Sequence, residues 1–276
     1  MKILSLFDGM SCGQIALQKA EIPVEVYYAS EIKKHAIEVT QFNYPNTIQL
    51  GDITKIESKD LKDIDLIIGG SPCQDFSSAN KIRDGLNGQK SKLFYEFIRL
   101  LKEIKPKYFI LENVKMKKEW EDIITETLKE IYPDTVVYNI NSKLVSAQLR
   151  NRFYWTNIQG VEQPKDKNIT LQSVLDSGYT KKIKHSCLNT NSGGNYNQRY
   201  MLHRAATTGM TTLIFNDSNF NEELGVRWCS QTEMEKLQNV PIGYTQILNK
   251  QKAGDLLGDG WTVDVIAHIF KHINQA

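Results

Sequence analysis

Four cysteines in 276 residues, at positions 12, 73, 187 and 229, are too few and too scattered for a disulfide framework. None forms a CxxC pair or stands beside a histidine at metal-ligand spacing, so a metal centre is not expected. Both absences point to a reducing, cytoplasmic setting. No apolar run approaches the roughly 20 residues needed to cross a bilayer. The opening MKILSLFDGM is interrupted by Asp8 and reads as a buried strand rather than a leader. A charge excess is missing too: 34 Lys+Arg against 32 Asp+Glu leave +2, so any polyanion must meet a local patch, not a global field. With 7 Pro and 17 Gly, collagen-like and disordered architectures are excluded. The length suits one large α/β domain, or a core domain with a smaller insert.

The first half alternates strand-length apolar runs (Lys2–Phe7, Val24–Ala29, Ile64–Ile68, Tyr108–Leu111) with segments whose apolar residues recur every three or four positions. Leu93, Phe97, Leu100 and Ile104 are the clearest such series. This alternation predicts βαβ units in a doubly wound, mostly parallel sheet. Ligands in such sheets bind beyond the carboxyl ends of the strands. Helical periodicity fades from about 157 to 226, where Ser, Thr, Asn and Gly dominate, and returns at Ser230–Gln238 and Val263–Ile273. The expected division is therefore a main domain over 1–156, a loop-rich region over 157–226 and a returning segment over 227–276.

The strand ends carry the chemistry. Gly9 and Gly13 follow the first strand and permit close approach of a ligand, although no third glycine completes a dinucleotide fingerprint. Glu31 and Asp52, after the second and third, suit the ribose hydroxyls and the amino group of a nucleoside. Capping of the following helix is the alternative for each acid. Gly69-Gly70-Ser71-Pro72-Cys73-Gln74 places a thiol in a polar, glycine-rich turn, as a nucleophile requires; Cys12, Cys187 and Cys229 fit inert core positions. Glu112 ends an apolar strand, where burial favours its protonated form. Arg150 and Arg152 stand two apart, on one face if extended, and Arg suits phosphate or base-edge contact.

Phe7-Asp8-Gly9, Ser71-Pro72-Cys73-Gln74, Glu112-Asn113-Val114 and Gln148-x-Arg150-x-Arg152 occur in that order and resemble successive motifs of the DNA (cytosine-5) methyltransferases. Arg227 with Glu233, Leu237, Gln238 and Pro241 resembles the next motif, and Gly258–Val263 the last. The resemblance spans both ends of the chain and spares 157–226, where the family places its target-recognition region. It implies S-adenosylmethionine as cofactor, double-stranded DNA as substrate and a cytosine flipped from the stack. Cys73 would attack C6, with Pro72 shaping its turn, Glu112 acting at N3, and Arg152 and Arg150 at the carbonyl side. Phe7, Asp8, Gly9, Cys12, Gly13, Glu31, Ile32, Asp52, Ile53, Gly70, Pro72, Leu93, Trp261 and Val263 would form the cofactor pocket. Gln74, Ser77, Lys81, Arg83, Lys90, Gln148, Lys182, Arg204 and Arg227 would face DNA.

Two residues depart from the family pattern: Asp75, where many bacterial members have Gly, and Asp259, where Asn is common. The short recognition region implies a brief target sequence. The resemblance points to a monomer of prokaryotic or phage origin, with no metal and no membrane, and with a cognate restriction endonuclease as a partner in function only. Two other readings stand beside it. One is methylation of tRNA cytosine, although Ser186-Cys187-Leu188 lacks the Cys-Phe-Thr of that branch. The other is an inactive DNA-binding module, although such relatives tend to lose Cys73 and Glu112.

Overall fold

Five short runs of buried apolar residues become the middle of a seven-stranded sheet, ordered β3-β2-β1-β4-β5-β7-β6. The structure is a computed structural model and describes residues 1–71, 92–209 and 211–273. Strands β1 (Lys2–Leu6), β2 (Val26–Ser30), β3 (Ile48–Gln49), β4 (Leu66–Gly70) and β5 (Tyr108–Val114) are parallel to their neighbours, and β7 (Asn151–Thr156) runs antiparallel to β5. Strand β6 (Val136–Asn141) lies at the edge. Helices α1 (Cys12–Lys19), α2 (Lys34–Asn43), α3 (Lys92–Ile104) and α4 (Lys118–Lys129) alternate with the strands. A strand covered on both faces can be apolar throughout, which is how β1, β4 and β5 read. The mostly parallel, doubly wound sheet expected from the sequence is what forms.

Chain order reverses between β1 and β4, so the carboxyl ends of these two strands flank the switch point where such sheets bind ligands. Helix α3 anchors that region by burying Phe94, Phe97, Ile98, Leu100 and Leu101 in a core shared with Leu4, Leu6, Ile67, Phe109 and Leu111. Gly69 makes this possible: a Cβ there would stand 3.1 Å from the Phe97 ring and 2.9 Å from the Leu6 carbonyl oxygen.

The chain divides into two compact units: Met1–Ile140 with Asn151–Gln163 and Ala267–Ala276, and Asn141–Arg150 with Pro164–Ile266. The units depart from the expected boundaries in three places. Residues 141–150 leave the first unit, 157–163 stay in it, and only 267 onward returns to it, where the Tyr108 hydroxyl donates to the Ile273 carbonyl at 3.2 Å. The second unit contains α5 (Gln198–Thr208), the β8–β9 pair (Ile214–Phe215, Val226–Arg227), α6 (Gln231–Gln238) and α7 (Lys250–Asp259). Helix α8 (Val263–Phe270) straddles the boundary at Ala267. Within the second unit, Met201, Phe215 and Val226 form a small core under α5.

Candidate active site

The turn leaving β1 is unusual in its backbone. Phe7, Gly9 and Ser11 have φ of 58°, 59° and 60°, and two of the three are not glycine. Each non-glycine residue there costs on the order of 1 kcal/mol, so surrounding bonds must hold it. The Asp8 amide donates to the Ser30 carbonyl at 3.0 Å and the Ser11 amide to the Asp8 carbonyl at 3.1 Å. The Tyr27 hydroxyl donates to one Asp8 carboxylate oxygen at 2.8 Å, and the Ser11 hydroxyl donates to the other. Burial raises the Asp8 carboxyl to about 6, against the lowering effect of these hydroxyls. Asp8 is therefore a half-buried brace of the turn. Sequence reasoning missed Tyr27, whose only signal was a polar-tipped aromatic in an otherwise buried strand.

Gly9 and Gly13 are present for different reasons. Among the described residues, nothing lies within 4 Å of the position a Gly9 Cβ would take. A Cβ on Gly13 would meet Ile68 Cδ1 at 2.5 Å and the Tyr27 hydroxyl at 2.8 Å. Gly13 thus admits the protein's own core rather than a ligand, and Cys12 beside it is buried in α1. Glu31 closes the site: Oε2 accepts from the Gly9 amide at 2.8 Å, and Oε1 from the amides of Ile32 and Lys33 at 2.8 and 2.9 Å. A carboxylate offers about four acceptor positions, so one remains, on Oε2, where the sequence suggested contacts to two hydroxyls.

Beside it, Ile32 is 74% exposed, an apolar surface with no cover of its own. Asp52 is solvent-facing and caps the 3-10 turn Ile53–Lys55, accepting from the amide and hydroxyl of Thr54 at 3.0 and 2.9 Å. Those bonds hold its carboxyl below the ordinary range. Capping and ligand contact, posed as alternatives for these acids, coexist in geometry. Ile53 is buried at 4% exposure, and with Phe7 and Leu93 it packs on the α3 core. Ile53 is thus a prop beneath the site rather than an open apolar surface.

Strand β5 continues three residues past its apolar run because β7 pairs with it: Glu112 faces Tyr154, and Val114 faces Arg152. Glu112 is thus a strand residue, opposite Gly70 on β4. Its Oε1 lies 2.9 Å from Arg152 Nε, with side-chain exposures of 11% and 14%. Asn113, 1% exposed, donates to the Ser71 hydroxyl at 3.0 Å and fixes the residue that follows β4. Pro72, Cys73, Gln74, Asp75, Ser77, Lys81, Arg83 and Lys90 lie outside the described residues.

In the second unit several expected ligand contacts are spent internally. Gln148, expected to face DNA, is fully buried; its amide donates to the Leu237 carbonyl and Gln238 Oε1 at 2.9 Å and accepts from the Leu188 amide at 3.1 Å. Arg150 is 5% exposed and donates to the carbonyls of Leu188, Gly258 and Gly260 at 3.2, 3.1 and 2.8 Å. It is a carbonyl clamp, not a partner of Glu112. Arg227 forms a two-pronged pair with Glu233, both contacts at 2.8 Å. Lys182 donates to the carbonyls of Gly209 and Thr211 at 2.9 and 3.0 Å, and burial lowers its ammonium. None of these four offers its charge or amide to a polyanion. Arg204 does stand exposed, on α5. Trp261 is half-buried and Val263 fully buried, at the start of α8.

A doubly wound sheet of this order, with an acid-flanked glycine turn at the switch point, is the Rossmann-like fold of S-adenosylmethionine-dependent methyltransferases. A model of the C-5 cytosine-specific DNA methylases matches residues 1–185, and the chain belongs to that family. The Type II methyltransferase M.NgoBV of Neisseria gonorrhoeae is 36% identical over 210 residues, 67% of this chain and 49% of that protein. The orphan methyltransferase M.SPRI of Bacillus phage SPR is 30% identical over 228 residues, 78% of this chain and 50% of that one. The chain spans about half the length of these curated relatives. In fold it resembles Entamoeba histolytica EhMeth (TM-score 0.74, 16% identity, covering 100% of this chain and 98% of that one). It also resembles a mutant of Spodoptera frugiperda DNMT2 (TM-score 0.69, 20% identity, covering 99% of each). No helix among the described residues is long and apolar enough to cross a membrane, and no group of three or more His, Cys, Asp or Glu among them is placed to hold a metal.

Proposed function

We propose that the protein methylates C5 of cytosine in double-stranded DNA, with Cys73 as covalent nucleophile and S-adenosylmethionine as methyl donor. The observation that carries the reading is the Glu112–Arg152 pair, held by the β5–β7 register opposite Gly70, three residues ahead of Cys73 in the chain. The donor's nucleoside fits the residues present: an open glycine turn, one unspent acceptor position on Glu31, an uncovered Ile32 and a solvent-facing Asp52, at the ends of β1, β2 and β3.

The chemistry follows from the poor nucleophilicity of C5. Addition of the Cys73 thiolate at C6 with transfer of a proton from Glu112 to N3 breaks the ring's aromaticity and loads C5 with electron density. S-adenosylmethionine, when bound, supplies the electrophilic methyl that C5 accepts. A base from solvent then takes the C5 proton, and its electron pair forms the C5–C6 double bond as the sulfur–C6 bond breaks; this frees Cys73 as thiolate, and the N3 proton returns to Glu112. Arg152 orients Glu112 throughout, and its guanidinium offsets the negative charge that Glu112 carries between giving up its proton to N3 and regaining it. The base must leave the helix for this, because C6 is shielded within the stack.

Bisulfite sequencing of DNA from cells expressing the chain tests the reading. Protected cytosines in a defined context, absent with Cys73→Ser, are the expected result. Methylation of tRNA without protection of DNA would overturn it, and so would undiminished protection by Cys73→Ser.

A further inference from the structure

Arg99 stands midway along α3, within the first unit, and each nitrogen of its guanidinium is engaged. Nε donates to Glu96 Oε2 at 2.8 Å and Nη1 to Glu103 Oε2 at 3.1 Å. These acids lie three residues before and four after it, so the helix itself aims the fork. Nη2 donates to the carbonyls of Ile53 and Ile56 at 3.3 and 3.2 Å. The two carbonyls bracket the 3-10 turn Ile53–Lys55, which Asp52 caps through Thr54. Ile53 and Ile56, 4% and 7% exposed, also join Phe97 and Leu100 of α3 in one buried cluster. Apolar burial is non-directional and lets one element slide on another; hydrogen bonds to two carbonyls fix the position. The turn of Asp52 is thereby held at a set height on α3, about 9 Å along the axis from Leu93.

We infer that Arg99 is a positioning residue for the methyl donor: through the backbone of Ile53 and Ile56 it holds the Asp52 carboxylate in place for the adenine amino group of S-adenosylmethionine. The inference rests on the function proposed above. Asp52 faces solvent, so no packing around its own side chain can fix it. Three links do so instead. The amide and hydroxyl of Thr54 fix the carboxylate to the turn, Arg99 fixes the turn to α3, and Phe94, Phe97 and Leu101 fix α3 in the core of the sheet. The middle link needs a planar fork that reaches carbonyls while its other nitrogens stay on Glu96 and Glu103. A lysine, with one donor centre, can take only part of that set.

The test titrates the full chain calorimetrically with S-adenosylhomocysteine and with its inosyl counterpart, in which oxygen replaces the adenine amino group. The wild type is expected to prefer the adenosyl compound by about tenfold or more, the worth of one hydrogen bond to a charged group. Arg99→Ala should bind the adenosyl compound about tenfold more weakly and the inosyl compound nearly as the wild type does, so the preference collapses. Arg99→Lys should keep part of the preference, and it carries the test if the alanine variant unfolds. In an Asp52→Asn background, Arg99→Ala should change the preference no further. In turnover, the loss should fall on KM for S-adenosylmethionine, with kcat within about twofold of the wild type. Equal weakening of both compounds, in step with the melting temperature, would assign Arg99 to folding alone and overturn the inference; so would a full preference in both Arg99 variants, or none in the wild type. A wild type that binds neither compound would instead overturn the function beneath it.

Discussion

Arg152 reaches Glu112 through Nε at 2.9 Å from a neighbouring strand, two positions out of direct register, since Arg152 itself faces Val114. The diagonal contact leaves Glu112 with one oxygen outside the pair. Glu112→Gln keeps the shape and removes the transferable proton, so kcat is expected to fall by about 10²–10⁴ with methyl-donor affinity unchanged. Arg152→Ala leaves a buried carboxylate alone, at a cost of about 3 kcal/mol in stability. Single-turnover methylation, calorimetric titration and urea unfolding separate the two variants; equal stability losses in both would refute this division of roles.

How much of this was legible in the sequence depends on range. Runs such as Lys2–Leu6 and Leu66–Gly70 declare strands because both faces of a central parallel strand are apolar. Acids and glycines at the strand ends declare a ligand-binding rim. The sequence does not declare which of two glycines faces a ligand, because that depends on Ile68 and Tyr27 arriving from other strands. Nor does it tell a DNA-facing arginine from a carbonyl clamp. Arg150 finds its carbonyls 38, 108 and 110 residues away, and local pattern carries no trace of them.

The two glycines of the first turn make a paired prediction. Gly9→Ala meets no neighbour among the described residues, but its φ of +59° costs a side chain about 1 kcal/mol. Its main effect is expected on methyl-donor affinity, because a methyl group would enter the open side of the turn. Gly13→Ala must push Ile68 or Tyr27 aside and should cost about 1–3 kcal/mol of stability. Thermal melts with and without S-adenosylmethionine check both. Loss of affinity in the Gly13 variant at full stability would reverse the assignment.

Asp8 and His185 predict opposing pH dependences. Asp8 is raised to about 6 by burial, so the folded state holds a proton that the unfolded chain has released. Its contribution is full below about pH 4 and is lost as pH rises through 6, up to about 3 kcal/mol. His185 is lowered to about 4 by burial, so the unfolded chain takes up a proton first and stability falls as pH drops from about 6.5 toward 4. The wild type should therefore be nearly flat between pH 4.5 and 6. Asp8→Asn removes one slope, so urea midpoints should rise with pH across that window, and at neutral pH the variant should melt no lower than the wild type. His185→Gln should show the reverse slope. Flat profiles in both variants would show that neither burial is felt.

Arg227 and Lys182 provide the last prediction, since both are basic residues expected to face DNA. Burial pushes the Glu233 carboxyl up; the Arg227 fork and the amides of Ser230 and Asp176 bring it below the ordinary range. Glu233 also completes the cap of α6, where the Ser230 hydroxyl accepts from its amide at 3.1 Å. Arg227→Ala would strand a fully buried carboxylate and unpin that cap together, for a loss of about 3–5 kcal/mol. Lys182→Ala removes three donors from a loop and should destabilise modestly. Because neither charge is available to phosphate, the salt slope of DNA binding is expected to stay at the wild-type value in Lys182→Ala and in Arg227→Ala at a temperature where it remains folded. A slope reduced by about 1 in either variant would return that residue to the nucleic-acid surface and force a rearrangement of these contacts on binding.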